Sequence, residues 1–354
     1  MKRFKSIAIA TLAALIAVVY AVPAPSAFAE SSSLSIAPKK NYVIEPGETV
    51  NDTLTIRNLD ASGDLTLNLT VIDFTYTDDG GTPKLLLDQD LAPTTWSLKP
   101  FLTVPETVTV APGGSKTLDI STAIPAGHGA GSYYSAILYS TGAPDGGNVG
   151  LAASGVTLVF VTIPGQVNEK LTLENFGVYR PAVSGQGAKY QSVTADMPMQ
   201  LGYTLKNEGN VTESPVGSIT LKYMFGEEQV INNINSTGSL ALIGQTRTFT
   251  TCIKLASQDV NFQGTTSQTT TCANPGLWPG MYTATLDAFY GQNGNRTQEI
   301  IKTVTFWYLP WWFVIGVIVI LATLALVIWR LVVKIRTAMY GPAHRARRPR
   351  TGRR

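Results

Sequence analysis

The sequence predicts an all-β ectodomain, two tandem β-sandwich domains, followed by one transmembrane α-helix. Three observations predict it. From Trp311 to Trp329 the chain carries no charged residue, and 19 residues at 1.5 Å rise span roughly 28 Å, close to the hydrocarbon thickness of a bilayer. Between residues 30 and 308 apolar side chains alternate with polar ones, as in DLTLNLTVID, and no amphipathic helical pattern interrupts them. Finally, three short motifs recur in the same order in the two halves of that region, the mark of a repeated architecture.

The N-terminus has the form of a secretory signal. Lys2, Arg3 and Lys5 precede an apolar run from Ile7 to Tyr20, and Ala27-Phe28-Ala29 fits the small-x-small cleavage pattern. The expected organisation is therefore a signal peptide over 1–29, a first sandwich over 30–165 and a second over 166–308. The transmembrane helix covers 309–333 and a basic tail 334–354.

Charge agrees with this order. Residues 30–308 hold all 24 acidic side chains and 15 of the 27 basic ones, a net of −9, whereas residues 330–354 hold nine basic side chains and no acidic one. The positive-inside rule then places the tail in the cytoplasm and the acidic region outside the cell membrane. Trp307, Tyr308, Trp311 and Trp312 crowd one end of the apolar run and Trp329 marks the other, where aromatic rings anchor at membrane interfaces. The basic tail is suited to anionic lipid heads rather than to nucleic acid.

In the first half, Asp78-Asp79-Gly80-Gly81 reads as a hairpin turn. The insertion that follows, 85–104, carries Trp96, read as a cover for one end of the sandwich or as a binding anchor. VTLVFVTIP (156–164) is apolar on both parities, as in a central strand, and Pro164-Gly165-Gln166 marks the boundary.

The repeats pair Thr55-Ile56-Arg57-Asn58 with Thr204-Leu205-Lys206-Asn207, Gly113-Gly114-Ser115-Lys116-Thr117-Leu118 with Gly244-Gln245-Thr246-Arg247-Thr248-Phe249, and Gly131-Ser132-Tyr133 with Gly280-Met281-Tyr282. From Gly113 to Gly131 is 18 residues and from Gly244 to Gly280 is 36, so the second half carries 18 more. The only cysteines, Cys252 and Cys272, enclose 19 residues, nearly that excess. The reading is an inserted polar loop clipped at its base by a disulfide, which an exported chain permits.

Chemistry-bearing patterns are sparse. His128 lies in the glycine-rich turn PAGHGAGSY and His344 in the tail, which leaves little for a hydrolytic triad or a zinc site. Gly113-Gly114-Ser115-Lys116-Thr117 lacks the G-K-[ST] order of a phosphate loop and opens a strand. Asp73, Asp78, Asp79, Asp88 and Asp90 share one insertion, where they fit either a calcium site or ordinary solvated turn acids. N-x-[ST] triplets occur at Asn51, Asn68, Asn210, Asn235 and Asn295. The expectation is a protein that is not an enzyme, with no cofactor, binding through loops at the sandwich ends. Trp96, His128 and Tyr133 are the candidate binding residues, in loops 78–104 and 125–132 and at the strand start that follows, and 253–271 is a third candidate loop.

IAPKKNYVIEPGETVNDTLTIRN and VPETVTVAPGGSKTLDISTAIPAGHGAGSYYSAILYS carry a resemblance. A proline-glycine turn opens a T-L-T-I-x-N strand, a second opens a strand ending in Ile-Pro, and G-x-Y-Y starts a late strand. This resembles the extracellular region of bacterial WxL-interacting cell-surface proteins, mainly over residues 36–163. The resemblance implies two immunoglobulin-like domains, with peptidoglycan bound by the first and a surface protein by the second. The architecture itself, an anchored, acidic, all-β ectodomain with no catalytic constellation, points to a membrane-anchored surface binder or scaffold that tethers a cell-wall polymer or surface protein. The alternative is a chaperone-like or export/assembly subunit offering an open sheet edge to a client strand.

Overall fold

A computed structural model describes residues 34–78, 80–88, 93–141, 154–182, 187, 189–262, 265–291 and 296–341. The expected signal peptide, most of the basic tail, Asp79, Asp90 and Asn295 lie outside them. The chain is mostly β-sheet with one C-terminal apolar helix, and it divides into two compact units. The first unit runs to Asp73 and includes Leu85–His128 and Tyr134–Val161; the second takes Phe74–Lys84, Gly129–Tyr133 and everything from Thr162. The last change of unit falls just before the expected boundary, where the ladder stops at Pro164 and Gly165, whose φ is +141°.

Ten strands cover the first half: β1 (Leu34–Ser35), β2 (Lys39–Val43), β3 (Thr49–Asn58), β4 (Leu65–Tyr76), β5 (Pro83–Leu86), β6 (Leu102–Thr103), β7 (Thr107–Val110), β8 (Ser115–Ala123), β9 (Gly131–Ser140) and β10 (Ser154–Ile163). One sheet has the order β1-β3-β8-β6, the other β2-β10-β9-β4-β5, with β7 also on β4. Alternation decides the faces. In β3, Leu54, Ile56 and Asn58 are buried while Thr53, Thr55 and Arg57 are exposed. β10 lies between two neighbours and buries Val159, Phe160, Val161 and Ile163, as its two-sided apolar pattern predicts.

The second half holds β11 (Leu171–Arg180), β12 (Lys189–Gln191), β13 (Val193–Thr194), β14 (Gln200–Asn207), β15 (Val216–Tyr223), β16 (Glu228–Asn232), β17 (Thr246–Cys252), β18 (Leu255–Phe262), β19 (Thr265–Cys272), β20 (Gly280–Tyr290) and β21 (Gln298–Tyr308). Its sheets run β12-β11-β14-β17 and β13-β21-β20-β15-β16. They share one core, in which Tyr203 of β14 stacks on Phe249 of β17 at 5.1 Å and Tyr282 of β20 on Phe306 of β21 at 5.4 Å. The larger sheets of the two halves correspond strand for strand: β2, β10, β9, β4, β5 against β13, β21, β20, β15, β16.

The repeated Asn motif has a physical reason. Asn58 is fully buried at the end of β3, and its amide nitrogen donates to Gly63 O at 2.8 Å and Val110 O at 3.2 Å. Asn207 is fully buried at the end of β14 and donates to Val211 O at 2.7 Å and Ala241 O at 2.9 Å. Each side-chain oxygen accepts the backbone N–H two residues on, of Asp60 at 3.0 Å and of Gly209 at 2.9 Å. Each backbone N–H reaches the second repeat, Gly114 O and Gln245 O, both at 2.9 Å. An amide with both donors and an acceptor satisfies three peptide groups where the strand turns away, which no apolar residue can do.

The segment expected as a loop between the cysteines is a hairpin. β18 and β19 pair from Leu255↔Cys272 to Phe262↔Thr265 as a separate two-stranded sheet. The alternating Ser, Thr and Gln that read as a polar loop are compatible with strands because Thr favours the pleated surface. Cys252 and Cys272 are joined, with Cα atoms 5.1 Å apart.

The helix α1 (Trp311–Tyr340) starts later and ends later than the expected 309–333. Leu309 is still strand-like, its N–H donating to Thr194 O at 2.9 Å, and Pro310 sets the first turn. Beyond Arg330 the apolar residues Leu331, Val332 and Val333 follow, and Lys334 and Arg336 extend the helix beyond the length a bilayer requires. Helix α1 is long and apolar enough to cross a membrane, and it is the only helix among the described residues.

Candidate binding site

The outer face of the β3–β8 sheet carries an open groove of about 540 Å³. Its floor is built from paired residues: Asn51 lies opposite Ser121 and Thr53 opposite Asp119. One wall is Thr103, Val104 and Pro105, where the chain leaves β6 for β7. The groove exists because β6 is only two residues long and pairs solely with Thr122 and Ser121. Pro105 lacks an N–H and cannot continue the ladder. Among the described strands none lies beside β8 from Ser115 to Asp119, so its backbone donors and acceptors there face outward.

The opposite border of the same sheet is closed differently. β1 reaches only Arg57 and Asn58 of β3. Further along, Lys40 Nζ of β2 donates to Asp52 Oδ2 at 2.7 Å and to Thr53 O at 3.0 Å. Tyr42 OH donates to the same carboxylate at 2.6 Å, and Thr53 N–H donates to Asp52 Oδ1 at 2.7 Å. Both edge-facing groups of Thr53 are thus taken by side chains. The Lys40 ammonium, then the Tyr42 hydroxyl and the Thr53 amide, hold the Asp52 carboxyl down at about 2. Burial, reinforced by Asp52, pushes the Tyr42 hydroxyl up. A lysine lying across a strand edge is a common guard against a further strand.

The residues singled out from sequence lie elsewhere. Trp96 is half-buried, with its ring 6.0 Å from Tyr134 and its carbonyl accepting Tyr134 N–H at 2.8 Å. His128 is half-buried against Phe101, centroids 4.7 Å apart. Tyr133 OH donates to Gly129 O at 3.0 Å. None of the three lines the groove. The acids weighed for calcium are occupied otherwise. Asp73 is buried and accepts Ser97 Oγ at 2.7 Å, Ser135 Oγ at 2.9 Å and Thr94 N–H at 3.2 Å, so it fastens the Trp96 segment. Asp78 accepts Thr82 N–H and Oγ1 and closes a turn. Among the described residues no group of three or more His, Cys, Asp or Glu could hold a metal ion. Asn235, one of the N-x-[ST] asparagines, is buried and donates to Ser214 Oγ and Ser239 O.

Sequence reasoning missed the groove and one buried acid. The groove residues Asn51, Thr53, Asp119 and Ser121 are ordinary strand polar residues, far apart in sequence. Glu213 is 1% exposed in the second unit. Its Oε2 accepts Gly291 N–H at 3.1 Å, and its backbone bridges Ala241. Among the described residues Oε1 has no hydrogen-bond partner. Burial pushes its carboxyl up to about 7, opposed by the Gly291 N–H and helped by the negative charge of Glu169.

No protein-family model matches the chain, and no curated protein matches it. Solved structures do show similarity. The class 5 fimbriae chaperone CfaA is 11% identical with a TM-score of 0.34, over 76% of this chain and 98% of that one. The Pseudomonas aeruginosa CupB2 chaperone is 11% identical with a TM-score of 0.29, over 77% and 100%. The E. coli chaperone DraB is 15% identical with a TM-score of 0.29, over 68% and 98%.

Proposed function

We propose that this chain is a membrane-anchored surface-binding protein of the WxL-interacting kind. Two tandem immunoglobulin-like domains stand outside the cell, α1 crosses the membrane and the basic tail lies in the cytoplasm. The first domain holds an extended ligand, a cell-wall polymer or a segment of a surface protein, in the β3–β8 groove. No catalytic step is part of the proposal.

The observation that carries it is the junction of β21 and α1. The last strand ends at Tyr308 and the apolar helix begins at Trp311, so the acidic all-β region is tied to the anchor by Leu309 and Pro310 alone. A groove with hydroxyl, amide and carboxylate side chains on its floor and Val104 and Pro105 on its wall suits a polymer with alternating polar and apolar faces. The full chain in detergent, mixed with purified cell-wall sacculi and with surface-protein extracts, tests this. Retention that disappears in Ser121→Trp, which fills the groove, is the expected result. Retention unchanged by Ser121→Trp removes the groove from the reading, and repeated absence of any retained partner removes the reading itself.

The second reading, a chaperone-like subunit, has its own observation in the outer edge of β8. A client strand added beside Ser115–Asp119 would extend β6 along the sheet. Thr117→Pro deletes one edge donor and narrows the edge. Loss of peptide binding in that variant, with sacculus binding intact, favours this reading over the first.

A further inference from the structure

Before α1, three phenylalanine or tryptophan side chains are exposed among the described residues: Phe225 at 76%, Trp278 at 69% and Trp307 at 42%. All three lie at one end of one sheet. β20 begins at Gly280 opposite Tyr308, the last residue of β21, and α1 begins three positions later. Trp278 lies two residues before the start of β20, Trp307 is next to last in β21, and Phe225 sits in the turn that joins β15 to β16, beyond Tyr223, which pairs with Tyr282. Strand register therefore gathers residues distant in sequence at the end where the chain enters the helix.

Between them runs an apolar row across four strands. Val193 of β13 pairs with Trp307, Trp307 pairs with Met281, and Met281 O accepts the N–H of Met224 at 3.0 Å. Val193 and Met224 are exposed as well. The ring positions are held. Tyr282 OH donates to Trp278 O at 2.9 Å and Tyr223 OH donates to Pro279 O at 2.9 Å. The Phe225 ring stands edge-on to Tyr223 with centroids 5.2 Å apart. A Cβ at Gly280 would come within 2.8 Å of the Tyr223 ring, so only glycine lets that tyrosine brace the Trp278 segment.

A soluble surface gains nothing by fixing exposed Phe and Trp side chains together. Trp311 and Trp312 continue the same set into the first turn of α1. Aromatic rings with a polar edge concentrate at the level of lipid headgroups. Glu227 and Glu228 follow Phe225 after Gly226, so attraction to anionic lipid is not what this end offers; the rings are.

We infer that the helix-proximal end of the second unit is a lipid-contacting surface. Phe225, Trp278 and Trp307, flanked by Val193 and Met224, enter the headgroup region of the bilayer that α1 spans. The inference rests on α1 being the membrane anchor. It adds that the sheet end is seated in the lipid rather than hanging from a flexible tether.

The test uses the full chain, disulfide intact, in phosphatidylcholine vesicles. Single cysteines replace Phe225, Trp278, Thr237 and Val327 in turn, each labelled with an environment-sensitive fluorophore. Thr237 lies past the opposite end of β16, and Val327 is inside α1. The expected result is blue-shifted emission at 225 and 278, quenched by headgroup spin-labelled lipid, with no change at 237 and quenching by acyl-chain spin labels at 327. Labels at 225 and 278 as water-exposed as at 237, with 327 quenched, overturn the inference and leave the anchor standing. An unquenched label at 327 overturns both. Shielding at 225 and 278 in native membranes but not in pure lipid overturns the lipid surface in favour of a protein partner.

Discussion

The two units place their most perturbed carboxylates in opposite situations. In the first, Asp52 sits at a sheet border with an ammonium, a hydroxyl and an amide around it, which hold it ionised. In the second, Glu213 is enclosed with one backbone donor and a second acid nearby, which favours its neutral form. The strand orders of the larger sheets are equivalent, so topology is not the cause. The difference lies in what each unit adds to its frame. The first adds a lysine across an edge. The second adds a closed corner made by Ala241 and Gly291 around a glutamate. A shared sheet arrangement therefore leaves the electrostatics of its ends free to diverge, because loops rather than ladders supply the partners.

The comparison breaks most sharply at the disulfide, which only the second unit has. Closing a segment of this length contributes about 3 kcal/mol in the chain-entropy model. Reduction, or Cys252→Ser with Cys272→Ser, lowers the hydrogen-exchange protection of β14 and β17 by that order and leaves β3 and β8 unchanged. Equal loss in both units would mean that they unfold as one body.

The next effect is pH. Glu213 has its folded value raised from 4.5 to about 7, so its protonated form is favoured by folding. The stabilisation is fully present below about 4.5 and is lost as pH rises through about 7, at most about 3 kcal/mol for a shift of this size. Asp52 has the opposite sign. Its folded value is lowered from 3.8 to about 2, so its contribution is present above 3.8 and is lost as pH falls through about 2. Thermal unfolding of Glu213→Gln between pH 4.5 and 7.5 shows a flatter pH profile than the parent. An unchanged profile would mean that Glu213 is solvated in solution.

A third comparison concerns the equivalent asparagines. Asn58→Ala and Asn207→Ala each leave buried carbonyls without a donor, at about 1–3 kcal/mol. The expected outcome is similar loss of exchange protection, confined to the unit that carries the change. A marked inequality would show that the repeat is one of sequence and not of energetics. The smallest effect is at Lys40. Lys40→Met removes a partly exposed ion pair and costs under about 1 kcal/mol, but it frees the edge of β3. Concentration-dependent association, measured by light scattering, is its readout.

Much of this was legible in the chain. Alternation in 65–71, the two-sided apolar run at 156–163 and the cysteine spacing announced strands, a buried strand and a clipped excursion. Each is local chemistry with a fixed period. The Thr55–Asn58 and Thr204–Asn207 echo was visible too, although only the folded chain explains it by giving each Asn side chain at least three peptide partners. The hairpin of β18 and β19 was misread because Thr, Ser and Gln serve loops and exposed strands alike. Trp96, His128 and Tyr133 drew attention as rare side chains on glycine- or proline-rich segments, a signal that does not distinguish a packed cover from a ligand contact.

By itself the sequence determined the all-β character, the apolar helix, the asymmetry of charge and the pairing of two lone cysteines. All four follow from period, length or count. Tertiary structure alone decided the groove beside β8, the burial of Glu213, the ammonium laid over Thr53 and the gathering of Phe225, Trp278 and Trp307. Each depends on strand register and on where a short strand stops. Those are set by the packing of the whole sheet, and no window of neighbouring residues contains them.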